Sequence, residues 1–222
     1  MTFYSLRVAC LAVMLAIVGL IAAAPEARAH PHVWVTVETE ILHDAQDNIT
    51  GFRHKWTFDE FYTSFAIQGM DKNNDGKYDR DELKELAEVN ITSLKEFDFF
   101  TFAKLAGHNV EELPPRDYWL EHIDGVMSLY FTLPLKKPVP KAKLKDFQFS
   151  VYDPTFYIAF AFTQGEPVRL AGGSGCKPEI SKPEVQAPGK SLSQSIFSNS
   201  DNLMNFGQQY AETIRFKCGA GS

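Results

Sequence analysis

The sequence predicts a mainly β protein: an antiparallel β-sandwich with an inserted EF-hand helix-loop-helix and C-terminal helices. Two observations carry this expectation. Short segments alternate apolar and polar residues at near-regular spacing, with turn-forming residues between them. One interruption, at about residues 59–95, changes to helical spacing around a twelve-residue acidic loop.

Taken in order, residues 1–29 read as a secretory signal peptide. Arg7 supplies the positive start, Val8 to Ala24 is almost unbroken apolar sequence, and Ala27-Arg28-Ala29 fits small-x-small cleavage. That run approaches spanning length, so an uncleaved anchor is the alternative; no other segment predicts a membrane span. Cleavage removes Arg7, Arg28 and Glu26. The 22 basic and 28 acidic residues then become 20 and 27, a net charge of −7. Such a surface argues against nucleic acid and anionic membranes as partners. The expected location is the periplasm of a Gram-negative bacterium, or outside the cell. Two cysteines remain, Cys176 and Cys218, and an even count in an oxidising compartment predicts one disulfide.

Residues 30–171 form the predicted sandwich domain. Val33, Val35, Val37, Thr39 and Ile41 alternate as in a half-buried strand. After an Asp47-Asn48 turn, Phe52, His54, Trp56 and Phe58 share one face of a second strand. Phe97 to Leu105 is strand-like. Tyr118 to Ile123 and Val126 to Leu133 predict a hairpin around Asp124-Gly125. Phe147 to Tyr152 and Phe156 to Phe162 predict two more strands, broken by Asp153-Pro154. Residues 172–222 read as a linker, rich in Gly, Pro, Ser and Lys to about Gly189, then a C-terminal helical segment. Its predicted helices are Leu192 to Phe197 and Leu203 to Ile214, tied back by the disulfide.

The insertion carries the most specific motif. Asp71, Asn73, Asp75, Asp79 and Glu82 stand at loop positions 1, 3, 5, 9 and 12, with Gly76 at position 6. Lys77 would contribute only its backbone carbonyl. Calcium needs many hard oxygens around one point, and this spacing supplies them. Asp59 predicts the N-cap of the entering helix, and Leu83, Leu86, Val89 and Leu94 suit the leaving one. A single loop without a sister predicts a structural or buffering site. Tyr78 occupies the place where an aliphatic residue often pairs with that sister.

Histidines make a second candidate set. Cleavage after Ala29 would leave His30 first, offering its α-amine and imidazole Nδ1 to one metal. Pro31 has no amide proton, so wrapping by deprotonated amides is blocked. His32 lies two residues on, on the same side of an extended chain. His54 is the candidate third ligand and Asp153 the candidate carboxylate. Imidazole suits zinc, copper and nickel. No Gly-x-Ser-x-Gly elbow, phosphate loop, dinucleotide fingerprint or Cys-His pair is present, and a non-enzymatic role is expected.

His30-Pro31-His32-Val33-Trp34, Trp56-Thr57-Phe58-Asp59-Glu60 and Tyr152-Asp153-Pro154-Thr155-Phe156-Tyr157 together resemble a bacterial family of unknown function. Its members are often labelled periplasmic components of an uncharacterised ABC-type transport system. The resemblance spans His30 to about Leu170, and more loosely to Cys218. It implies nickel, cobalt or zinc handling beside an inner-membrane metal transporter, with His30, His32 and Asp153 on the family's polar positions. A two-lobed substrate-binding protein does not fit, because strand-helix alternation is missing. The resulting expectation is a calcium-binding accessory or chaperone for transition-metal transport. A copper protein with redox activity at His30, using Tyr157 axially, is one alternative. A calcium-stabilised interaction module is the other.

Overall fold

The computed structural model describes residues 31–170, 175–183 and 206–219. The predicted signal peptide, His30 and the predicted helix Leu192 to Phe197 lie outside them. Strand β1, Val33–His43, has the expected alternation: Val33, Val35, Val37, Thr39 and Ile41 are buried. It pairs antiparallel with β2, Ile49–Phe58, whose Phe52, His54, Trp56 and Phe58 face the same interior. At Gly51 the β2 backbone passes so close to the next strand that a Cβ would lie 2.7 Å from the Leu133 carbonyl oxygen. Only glycine fits there without displacing a strand.

Helix α1, Glu60–Ala66, follows at once. Asp59 caps it by accepting from the Tyr62 N–H at 2.8 Å, and its other carboxylate oxygen accepts from the Trp34 N–H at 2.9 Å. Asp59→Ala is therefore expected to cost about 1–2 kcal/mol, read as a lower urea midpoint. Thr63 fixes α1 to the body, its Oγ1 accepting from the Met127 N–H at 3.1 Å. Helix α2, Lys84–Leu94, buries Ala87 and Ile91, and Leu83 just before it is fully enclosed.

The remaining strands are β3 (Thr101–Leu105), β4 (His108–Asn109), β5 (Arg116–Ile123), β6 (Val126–Val139), β7 (Phe147–Val151), β8 (Ile158–Phe162), β9 (Val168–Leu170), β10 (Cys176–Ser181) and β11 (Thr213–Cys218). The protein is mainly β, with two sheets. One has the order β5-β6-β2-β1-β8, with β9 also paired to β1; the other runs β10-β11-β7-β3-β4. Rings from the two sheets meet. Phe52 of β2 lies 4.7 Å from Phe149 and 6.3 Å from Phe147 of β7, centroid to centroid.

Three expectations are corrected. The first sheet is mixed, because β1 runs parallel to β8 and β9. The second correction concerns the end of the chain. Thr213 and Ile214 are not helical; after a 3-10 turn at Phe206–Tyr210 the chain forms β11, with Ile214 and Phe216 inward and Arg215 and Lys217 outward. That period of two wins because both apolar residues can join an existing sheet edge on β7. Likewise, the predicted linker contributes β10, which pairs along β11 with Cys176 opposite Cys218. Those two cysteines form the expected disulfide. Third, Phe97 to Phe100 is a tight turn, and only Thr101 onward is strand.

Candidate metal sites

The loop from Asp71 to Glu82 lies between α1 and α2 and is ordered by its own acidic side chains. Asp71 accepts from the Gly76 N–H at 3.0 Å through Oδ2 and from the Asp75 N–H at 3.2 Å through Oδ1. Asn73 Oδ1 accepts from Asp75 N–H, and Asp75 Oδ1 from Lys77 N–H, both at 2.8 Å. Asp79 Oδ1 accepts from Asp81 and Glu82, both at 2.9 Å. Glu82 closes the circuit. Its Oε1 accepts from Lys72 and Asn73 at 2.8 and 3.3 Å, and its Oε2 from Asp79 at 3.2 Å. Gly76 stands at φ 79°, where a side chain would be strained, so the glycine is needed for the bend.

This donor set is oxygen only, which suits a hard divalent cation and not a soft one. The carboxylates are occupied with backbone N–H groups, and among the described residues no three His, Cys, Asp or Glu side chains converge on one point. The loop is braced from outside by β5. Tyr78 meets the His122 ring edge-on at 4.9 Å, Arg80 stacks over Trp119 at 4.7 Å, and Arg80 also pairs with Glu121. The β5 edge thus packs against Tyr78 and Arg80 of the loop.

The histidine set is divided. His32 stacks on Tyr157, rings 4.8 Å apart, and its N–H donates to the Tyr157 carbonyl at 2.9 Å. This brings His32 to the loop that begins at Asp153. Asp153 itself is 3 % exposed and fully engaged in shaping that loop. Its Oδ1 accepts from the Thr155 N–H at 2.8 Å and its Oδ2 from the Ile158 N–H at 3.0 Å, with the Thr155 hydroxyl between them. Such a carboxylate explains the Asp-Pro-Thr turn better than it offers itself to a metal.

His54 belongs to neither set. It is wholly buried, bonded to Thr39 Oγ1 at 2.9 Å and surrounded by the rings of Phe52, Trp56 and Phe131. Burial pushes its pKa down to about 3, so the imidazole is neutral at any ordinary pH. It pairs in register with Thr39, seven residues along β1 from His32. The expectation of His54 as third ligand is therefore corrected: the shared strand pair exists, but the ring points into the core. The period-two pattern that includes Phe52 and Trp56 already carried that signal.

Sequence reasoning also passed over Glu112. Its Oε1 is buried without a hydrogen-bond partner, and burial, with Asp98 and Glu111 nearby, raises its pKa to about 7. Nothing in the Glu111-Glu112 pair marks this, since acidic pairs before prolines are ordinary surface sequence.

With this geometry in view, the comparisons are sparse in chemistry. A family described as a protein of unknown function, DUF1007, matches residues 15–218. An uncharacterized protein of Haemophilus influenzae is 29 % identical over 197 residues, covering 86 % of this chain and 91 % of its own length. An uncharacterized 15.5 kDa protein from the trpE 3′ region of Spirochaeta aurantia is 28 % identical over 120 residues, covering 51 % of this chain and 80 % of its own length.

Proposed function

We propose a function for this chain, which belongs to the DUF1007 family of proteins of unknown function: it is a periplasmic protein that binds calcium through an EF-hand loop inserted in a β-sandwich, as an accessory to transition-metal transport. The observation that supports it most is the closure of residues 71–82 by Glu82, whose two carboxylate oxygens reach N–H groups at both ends of the loop. Asp71, Asn73, Asp75, Asp79 and Glu82, with the Lys77 carbonyl, would hold the ion. Bound calcium would offset the repulsion among these carboxylates and fix α1 against α2. The location is supported by the Cys176–Cys218 disulfide, since such bonds persist in oxidising compartments. Among the described residues no helix is long and apolar enough to cross a membrane.

Calcium titration of the mature protein by calorimetry tests this reading. Dissociation constants of about 10⁻⁴ to 10⁻³ M are expected. At a hundredfold excess over that constant, calcium should stabilise the fold by about 2.7 kcal/mol, and Glu82→Gln should abolish the gain. Unchanged melting in calcium would remove the reading. The transition-metal half rests on His30, His32 and the family resemblance. His30→Ala with His32→Ala should eliminate zinc, nickel, cobalt and copper binding; retention of full affinity would separate the protein from that role. The same titration reads the copper redox alternative.

A second reading, a calcium-stabilised interaction module for a partner such as a membrane transporter, is favoured by α1. Phe61 and Phe65, one helical turn apart on the element entering the loop, are 81 % and 71 % exposed. Calcium-dependent stability without transition-metal affinity is its expected signature.

A further inference from the structure

The second sheet has an outer face that no part of the proposed calcium site uses. On β3 and β7 the residues Ala103, Phe149 and Val151 point inward and are buried. Phe102, Gln148 and Ser150 therefore face the other way, with Tyr152 continuing their row. They floor a groove of about 760 Å³, within the range of small-molecule sites. Phe102 and Tyr152 pack against each other there, ring centroids 4.3 Å apart and planes 33° off parallel.

Two acids line the same groove. Glu112 lies on a segment tied to both sheets: the Val110 N–H donates to the Ala103 carbonyl at 2.9 Å, and Glu112 itself bridges to Leu135. Its Oε1 is buried and has no hydrogen-bond partner. A buried acceptor left unpaired is costly, so proteins retain one chiefly where something else supplies the donor. Asp98, the second acid, sits in an unusual backbone. Asp98, Phe99 and Phe100 have φ of 50°, 50° and 47°, three consecutive left-handed residues without a glycine. Each costs roughly 1–2 kcal/mol. The turn is held by burial of Phe99 and Phe100 and by the Thr101 hydroxyl donating to the Phe99 carbonyl at 3.0 Å. Strain of this kind concentrates at binding sites.

We propose that this groove binds a small organic amine, its ammonium donating to Glu112 beside Asp98 and its apolar or aromatic body packing against Phe102 and Tyr152. An aromatic floor favours a cation, as does an acidic rim. A bare metal ion fits worse, because the third carboxylate of the lining, Glu111, is paired with Lys136, and among the described residues no three His, Cys, Asp or Glu side chains converge to hold a metal. Lys104, which also faces the groove, and Glu111, paired with Lys136, complete the charged surroundings. Glu112, with its pKa near 7, would ionise as the amine arrives and release a proton.

The test uses the mature protein without added calcium and three probes: 2-phenylethylamine, neutral 2-phenylethanol and phenylacetate. Calorimetry or amide NMR shifts should show the amine binding at least about tenfold tighter than the other two. Affinity should rise about tenfold from pH 6 to pH 8, as Glu112 ionises while the ligand keeps its charge. Glu112→Gln should weaken the amine about tenfold, and Phe102→Ala should weaken all ring-bearing probes. Should Glu112→Gln not fold, Asp98→Asn carries the same reading with a smaller effect. No amine binding at millimolar concentration, meaning that water alone satisfies Glu112, would overturn the proposal. So would preference for phenylacetate, or equal affinity in Glu112→Gln. None of these outcomes bears on calcium, so the two readings stand or fall separately.

Discussion

Glu112→Gln is expected to lose on the order of 4 kcal/mol of stability between pH 7 and pH 3, and adding His54→Gln is expected to remove most of that loss. The cause is proton linkage. Unfolded His54 titrates near 6.5, whereas the folded ring refuses a proton until about pH 3. Throughout that interval the unfolded chain binds more protons, so stability falls as pH falls, at about 1.4 kcal/mol for each pH unit. Glu112 acts in the opposite direction. Its folded carboxyl holds a proton up to about pH 7, its unfolded one only to 4.5, so its contribution falls as pH rises through that window. In the wild type the two slopes overlap between pH 4.5 and 6.5 and largely cancel. Removing Glu112 exposes His54 alone. Asp44, Glu111 and Glu121, all held below the usual carboxylate range, add acid sensitivity at lower pH in both variants. The difference between single and double variants therefore isolates His54. Urea midpoints measured in steps from pH 7 to 3 supply it; an equal fall in both variants would contradict the buried, neutral imidazole.

Opening the disulfide is expected to cost about as much. Cys176 and Cys218 close a loop of about 43 residues, and in the chain-entropy model that constraint contributes about 4 kcal/mol. The location of the bond makes the loss local first. The β10 strand lies at the end of the second sheet and, among the described residues, pairs with β11 alone, so the reduced chain should open there before the first sheet does. Cys176→Ser with Cys218→Ser should lower the urea midpoint. Amide exchange should accelerate in Cys176–Ser181 and Thr213–Cys218 well ahead of β1 and β2. Uniform exchange across both sheets would mean that the bond holds the whole fold and not this edge.

The pattern of β1 and β2 was legible residue by residue, because alternation alone decides which face of a strand is buried. The hairpin was equally plain: Asp124 and Gly125 take φ of 52° and 82°, the conformation their side chains tolerate. The same holds for the Asp59 cap. These are short-range matters, settled by sterics and hydrogen bonds within a few residues.

Partnership between distant segments was not legible. Nothing in Ile158–Phe162 says that it lies parallel to β1, and nothing in Cys176–Ser181 says strand and not linker. The Thr213–Cys218 alternation was present but outweighed by helical spacing upstream, and only the waiting edge of β7 tips it to strand. The chemical identities of the candidate residues divide the same way. From the chain come the oxygen-rich loop, the paired cysteines and the closely spaced His30 and His32. From the packed sheets come the removal of His54 into an aromatic interior, the commitment of Asp153 to its own turn, and the burial of one Glu112 oxygen without a hydrogen-bond partner. Solvation and long-range pairing act on those three side chains, and neither is written in the spacing of their neighbours.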